Sequence, residues 1–409
     1  MPAWRLTLLL CFAEALNMAG YSAVASLLPE LKLAWSLGNA EVGIVEGAFN
    51  VGYVVAVPIL VTWTDRRDPR TIYLFATALG IAASLGLAWI AHDLWSAALF
   101  RCMAGIALAG TYMPGLKMLM DSIAGPKQSR WLAFYTASFS LGASLSTAAT
   151  GAVGHNIDVA AAFIVAGIGG AAAWLLVAMT TRSRPVESHP PIAAWGALWQ
   201  AAQNRNALAY SLGYAAHMWE LYGFRAWLVA YLLFAATGSL TPTGDTSYAL
   251  WGAVLLLLGM PSSIIGNEIA LKIGRQRQLT LAMCISAALA LAFGASSLLP
   301  FPILLILGAF YSLFVTADSA SLTAGAVAQA RPGQSGATMA LHSLLGFAAA
   351  SLGPLAFGLV LDAGGDHAAG AWFAGFAMLG AGVACGPLIL RAMLGTRDDD
   401  ESKRADRKA

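Results

Sequence analysis

Charge is what this chain has least of. Only 11% of its 409 residues are Asp, Glu, Lys or Arg, whereas 58% are hydrophobic. A soluble globular domain carries roughly a quarter charged residues, so a single water-soluble domain is excluded, as is a disordered chain. Cysteine is scarce too. Cys11, Cys102, Cys284 and Cys385 all lie in apolar stretches, without a CxxC pair or a His/Cys metal spacing. That excludes a disulfide scaffold and argues against a metal centre. A net charge of +2 gives no case for nucleic acid as a partner. Neither a phosphate-cradling GxxxxGK[ST] loop, a GxSxG elbow nor an HExxH pair occurs. Direct ATP drive, an enzyme and a bound cofactor are therefore not expected.

What the chain has instead is long apolar runs. A bilayer core takes about 20 apolar residues per helix. On that scale twelve spans are expected: 6–28, 41–62, 71–92, 94–117, 130–152, 158–180, 207–234, 248–268, 278–298, 301–324, 338–360 and 370–392. The first is not a cleavable signal, because it contains Glu14 and Asn17 and lacks a small-residue cleavage site. A longer connection, 181–206, divides the spans six and six. It contains Arg182, Arg184, Pro185, Pro190 and Pro191, then Trp195 and Trp199, which suit the membrane interface. Residues from Thr396 onward read as a charged, solvated tail. Lys and Arg crowd the loops on the side of the N-terminus (Arg66, Arg67, Arg70, Lys127, Arg130, Arg182, Arg205, Lys272, Arg275, Arg277), while Lys32 stands on the other. By the positive-inside rule both termini and the central loop are cytoplasmic, in a bacterial-type inner membrane.

The halves repeat weakly. At a shift of 204 residues Gly142, Gly154 and Asp158 fall on Gly346, Gly358 and Asp362, and at 206 Arg66 falls on Lys272. Such repetition with equal span counts is what a duplicated six-helix unit leaves. The loop after span two reads Val61-Thr-Trp-Thr-Asp65-Arg66-Arg67-Asp68-Pro69-Arg70. The equivalent loop in the second half keeps Gly274-Arg275 but has no matching Asp, and span four carries Arg101-x-x-x-Gly105. These segments resemble the major facilitator superfamily, whose loop motif is G-x-x-x-D-R-x-G-R-R. Asp65, Arg66 and Arg70 match it, whereas Val61 and Asp68 replace its two glycines. The family's span-five Gly-Pro pair is absent. Gly353-Pro354 lies in span eleven instead, so antiport cannot be read from it. The resemblance covers essentially the whole chain. It implies an all-α integral membrane protein with twelve transmembrane helices in two pseudo-symmetric six-helix bundles, 1–180 and 207–395, joined by 181–206 and followed by the tail 396–409. It also assigns Asp65, Arg66 and Arg70 to a salt-bridged cytoplasmic gate, with Asp121, Arg130, Gly274 and Arg275 as further gating candidates.

Ionisable groups inside spans mark cavities or partners, because charge in lipid is costly. Glu14, Asn17 and Tyr21 share a face of span one at i, i+3 and i+7. Span seven carries His217, Trp219, Glu220, Tyr222 and Arg225. His217 and Glu220 share a face, and Arg225 stands about 80° from His217 and about 140° from Glu220 on an ideal helix. Glu46, Arg101, Tyr112 and Asp318 complete the candidate set for solute and proton binding. The bland reading of each is a buried ion pair or polar cluster that fixes helices together, with Glu46 or Glu14 as the partner of Arg101. The expected function is a monomeric secondary transporter for a small polar or amphipathic solute, driven by protons, with a slight preference for an organic anion. A drug or metabolite efflux antiporter is the nearest alternative. A non-transporting receptor or assembly protein of the same fold is the alternative from another class.

Overall fold

A computed structural model describes residues 3–64, 67–122, 128–183, 194–238, 240, 245, 247–332 and 334–394. The first half contains α1 (Ala3–Asn17), α2 (Ala23–Ser26), α3 (Leu28–Ala34), α4 (Asn39–Thr64), α5 (Pro69–Trp89), α6 (Leu94–Met120), α7 (Gln128–Asn156) and α8 (Val159–Thr180). A short α9 (Ala194–Ala202) leads into α10 (Arg205–Thr237), α11 (Ser247–Leu257), α12 (Gly259–Ile273) and α13 (Arg275–Gly294). The chain continues with α14 (Phe301–Phe314), α15 (Ser319–Ala328), α16 (Ser335–Gly364) and α17 (Ala369–Leu394). Among the described residues nine helical stretches are long and apolar enough to cross a bilayer. The other long runs are α1 with its continuation, α7 and α10, which are the helices that carry rows of polar side chains.

The helix ends follow local chemistry. Asp93 caps α6 in a reciprocal box with Ser96, Asp158 caps α8, and Asp68 followed by Pro69 starts α5. Gly238 ends α10 with a φ of 70°, and Gly274 turns the chain between α12 and α13 with a φ of 92°. Both angles lie where a Cβ is disfavoured. Phe75, Ile168 and Leu388 are among many large apolar side chains that remain exposed. In water such a surface would aggregate, whereas in lipid it is the expected outer face.

The chain forms two compact units. One comprises Met1–Pro191, Leu228–Leu232 and Leu240–Leu257; the other comprises Ile192–Trp227, Leu233–Ser239 and Leu258–Ala409. Each contains a span that breaks in mid-course. In the first unit the helix loosens between Asn17 and Ala23, and α7 supplies the missing partners. The Ser22 backbone N–H donates to Ser146 Oγ at 3.0 Å, Ser146 Oγ donates to the Ala19 carbonyl at 2.9 Å, and Ser22 Oγ donates to the Ala143 carbonyl at 3.2 Å. In the second unit the break falls between α14 and α15, where Gln278 Nε2 donates to the Ala317 carbonyl at 2.8 Å and Ser262 Oγ to the Leu313 carbonyl. Side chains of neighbouring helices are what make such breaks tolerable away from water.

Glycines set the closest approaches. Gly52 of α4 lies against the Cys102 carbonyl of α6, and Gly105 of α6 lies against the Phe49 carbonyl of α4. Gly142 and Gly154 of α7 meet Met18 and Leu27, and Gly353 of α16 meets the Trp219 carbonyl. The small faces of α7 and α16 therefore bring helices together closely.

Candidate functional site

The first unit holds a polar core between α1, α4, α6 and α7. Glu14 is fully buried and accepts a hydrogen bond from Tyr135 at 3.3 Å, while its Oε1 has no partner among the described residues. Asn17 donates to the Tyr73 hydroxyl at 2.7 Å. Arg101 and Glu46 form an ion pair at 2.9 Å, with side-chain exposures of 2% and 12%. A second Arg101 nitrogen donates to the Tyr21 carbonyl at 3.3 Å, and the guanidinium lies 4.7 Å from the centre of the Phe49 ring. Tyr21 packs edge-on against Phe49 and Phe139, and Tyr112 stacks with Tyr135 at 5.6 Å. A cavity of about 50 Å³ is lined by Asn17, Tyr21, Thr77, Arg101 and Thr111 among others. Arg101 Nε is buried with no partner among the described residues.

The second unit buries a larger set. Ser286 Oγ of α13 lies 2.9 Å from both carboxylate oxygens of Glu220, and Tyr311 of α14 donates to one of them at 3.1 Å. His217 Nδ1 lies 2.8 Å from Asp318 Oδ1, with side-chain exposures of 0% and 3%. Neither atom has an aligned hydrogen bond. Neighbours on α10 thus have different partners: His217 an acid in the α14–α15 break, Glu220 two hydroxyls. Tyr222 packs edge-on against Phe347 at 5.8 Å, and the Arg225 guanidinium lies 5.7 Å from the Tyr222 ring centre. Arg225 Nε and Trp219 Nε1 have no partner among the described residues.

The gating candidates fall in both units. Asp65 and Arg66 lie outside the described residues, as does the side chain of Arg130. Arg70 donates to Thr181 Oγ1 at 3.0 Å and to the Ala178 carbonyl at 2.8 Å, which ties the start of α5 to the end of α8. Asp121 pairs with Lys117 one turn away at 3.2 Å. Gly274 forms the turn described above, and Arg275 opens α13 with its Nε buried and unpartnered among the described residues. Sequence reasoning missed Tyr135 and Ser286, whose hydroxyls bond Glu14 and Glu220, and Tyr73, whose hydroxyl accepts from Asn17. It also missed His342 of α16, which stacks on Tyr214 at 4.0 Å. A histidine within an apolar span was the available signal for His342.

The sequence matches the Major Facilitator Superfamily profile over residues 10–354. The chain belongs to that superfamily. This member spans the membrane several times, with most of its matched length in apolar helices. It is 24% identical to Protein spinster homolog 1 from Homo sapiens over 286 residues, 65% of this chain and 53% of that protein. The chain thus covers about half the length of that relative. Over 134 residues, 33% of this chain and 27% of the relative, it is 25% identical to a protein from Arabidopsis thaliana named "Probable sphingolipid transporter spinster homolog 1". Its fold resembles that of a bacterial homolog to the human lysosomal transporter spinster, solved in an inward-facing and unoccupied conformation. The TM-score is 0.73 at 15% identity, covering 99% of this chain and 97% of that one. The nucleoside transporter NupG gives a TM-score of 0.77 at 12% identity, covering 95% and 99%. At these identities the likeness establishes the superfamily fold.

Proposed function

We propose that the chain is a proton-coupled secondary transporter that moves a small polar or amphipathic solute by alternating access, with an organic anion as its preferred cargo. The observation that carries this reading is a guanidinium inside a span that lacks a carboxylate. Arg101 pairs with Glu46, whereas Arg225 has no carboxylate partner among the described residues. A guanidinium keeps its charge at any physiological pH, and inside a membrane an uncompensated charge is costly. An anionic group that arrives beside Arg225, with Tyr222 and Trp219 as aromatic walls, relieves that cost. The relative named as a sphingolipid transporter supports an amphiphile with a long apolar tail.

The buried acids Glu14, Glu46, Glu220 and Asp318 support the proton coupling, since a carboxyl group away from water gains or loses a proton as its surroundings change. In this reading 1–180 and 207–395 are the moving bundles, the loop at 61–70 with Arg130, Gly274 and Arg275 is a gate, and both termini are cytoplasmic. Uptake of a single-chain alkyl phosphate into proteoliposomes under an imposed pH gradient is the test. Arg225→Gln should slow it by about ten- to a hundredfold, the worth of one charge-assisted hydrogen bond at about 1.5–3 kcal/mol. Arg225→Lys should retain part of the rate. Uptake by Arg225→Gln at the wild-type rate would sink the anion reading.

A further inference from the structure

The second unit buries more titratable groups than the recognition of one anion requires. His342 lies on α16, two helices away in sequence from Asp318, and stacks on Tyr214 with ring centres 4.0 Å apart and planes 18° from parallel. Tyr214 also stacks with His217 at 5.6 Å and 25°. Thr323 Oγ1 of α15 stands 3.3 Å from His342 Nε2. His342 Nδ1 and His217 Nε2 are buried without a partner among the described residues. Tyr214 thus stands against both imidazoles, and Glu220 follows His217 by three residues on α10.

Two partly buried guanidiniums belong to the same helices, Arg225 of α10 and Arg275 of α13. Glu220 is faced by Ser286 of α13 and by Tyr311 of α14. On the other helices packed here, Glu268 and Lys272 of α12 and Arg391 of α17 are exposed. The cluster itself holds two acids and two imidazoles. With both acids ionised and both imidazoles neutral, two negative charges stand unpaired in a dry interior, which is costly. With both imidazoles protonated, two cations crowd one tyrosine ring. One proton on His217, facing Asp318, or one on His342, resting on the Tyr214 ring, avoids both extremes.

We propose that His217, Asp318, Glu220 and His342 titrate as one proton-binding unit, in which a proton on His342 and a proton on His217 exclude one another across the shared Tyr214 ring. The inference rests on the proton-coupled reading of this chain and names a site for it. No bond other than N–H or O–H forms or breaks, and the exchanged proton comes from water.

Solid-state NMR of the full chain in lipid bilayers, labelled with 15N-histidine, reads the site directly. His217→Gln and His342→Gln assign the two resonances. Coupled groups shift each other's midpoints by about one pH unit or more. His217→Gln should raise the His342 midpoint by that amount, and Asp318→Asn should lower the His217 midpoint likewise. A His342 midpoint that stays the same in both variants overturns the proposal. Should His217→Gln fail to fold, the His217 midpoint in His342→Gln supplies the same comparison. In proteoliposomes His342→Gln should abolish the response of alkyl phosphate uptake to a pH gradient; an unchanged response overturns the proposal as well. The NMR measurement needs no cargo. Uncoupled midpoints therefore defeat this inference alone, whereas coupled midpoints without any wild-type flux defeat the transport reading alone.

Discussion

Arg101 and Glu46 show what a single buried pair does. Each charge is tolerated in the first unit because the other is 2.9 Å away. Removing one partner leaves the other buried and uncompensated, at a cost of about 3–5 kcal/mol. Arg101→Ala should therefore lower the thermal unfolding temperature in detergent markedly. The double variant Arg101→Met/Glu46→Leu should recover most of it and still fail to transport. If the double variant restored flux, the pair would be a structural fixture only. That Glu14, Arg101, His217 and Glu220 are buried was legible from the sequence, because each interrupts an apolar run. Their partners were not. Glu46 is 55 residues from Arg101, Ser286 is 66 from Glu220, and no local spacing encodes such pairings. The equal standing of Glu46 and Glu14 as partners of Arg101 resolves in favour of Glu46. His217 and Glu220 were read as facing one way on one helix. Yet each is completed by a different neighbour, which only packing decides.

At the scale of the element, helix ends have local causes and interruptions have distant ones. Aspartates at 68, 93 and 158 cap their helices through local hydrogen bonds that a sequence pattern can anticipate. The Ser96 hydroxyl and backbone N–H hold the Asp93 carboxyl below its usual range. A depressed folded value means that this cap contributes above the ordinary carboxylate range and is lost as pH falls through the folded value. Amide exchange at residues 95–97 should therefore accelerate in acid, and Asp93→Asn should remove most of that acid dependence. The break after Asn17, by contrast, depends on Ser146, more than 120 residues away. Gly105 is another case of distance, since its neighbour is the Phe49 carbonyl of α4. Gly105→Ala should destabilise the first unit by about 1–3 kcal/mol through overpacking. Gly336, which has open space around it, should accept alanine with little change in unfolding temperature.

At the scale of the whole molecule, an all-helical membrane protein was accessible from composition, because a bilayer imposes one length on every crossing helix, and the superfamily from the motifs after span two and in span four. How the chain is shared between units was not. Ser247–Leu257, from the second half of the sequence, packs on α7 and belongs with the first unit; Ala249 there meets Gly151. Fragments 1–191 and 192–409 should accordingly copurify when expressed together, and Ala249→Trp should weaken their association in a pull-down. Equal recovery with Ala249→Trp would show that this contact does not hold the fragments together. The row of hydroxyls on α7, which includes Ser144, Ser146, Thr147 and Thr150, has a consequence for biogenesis as well. A segment so poor in apolar side chains partitions weakly into lipid on its own. The hydroxyl that mends the broken first span also makes α7 a reluctant entrant to the bilayer, and deleting α1–α3 should lower the membrane-inserted fraction of α7 in a translocation assay.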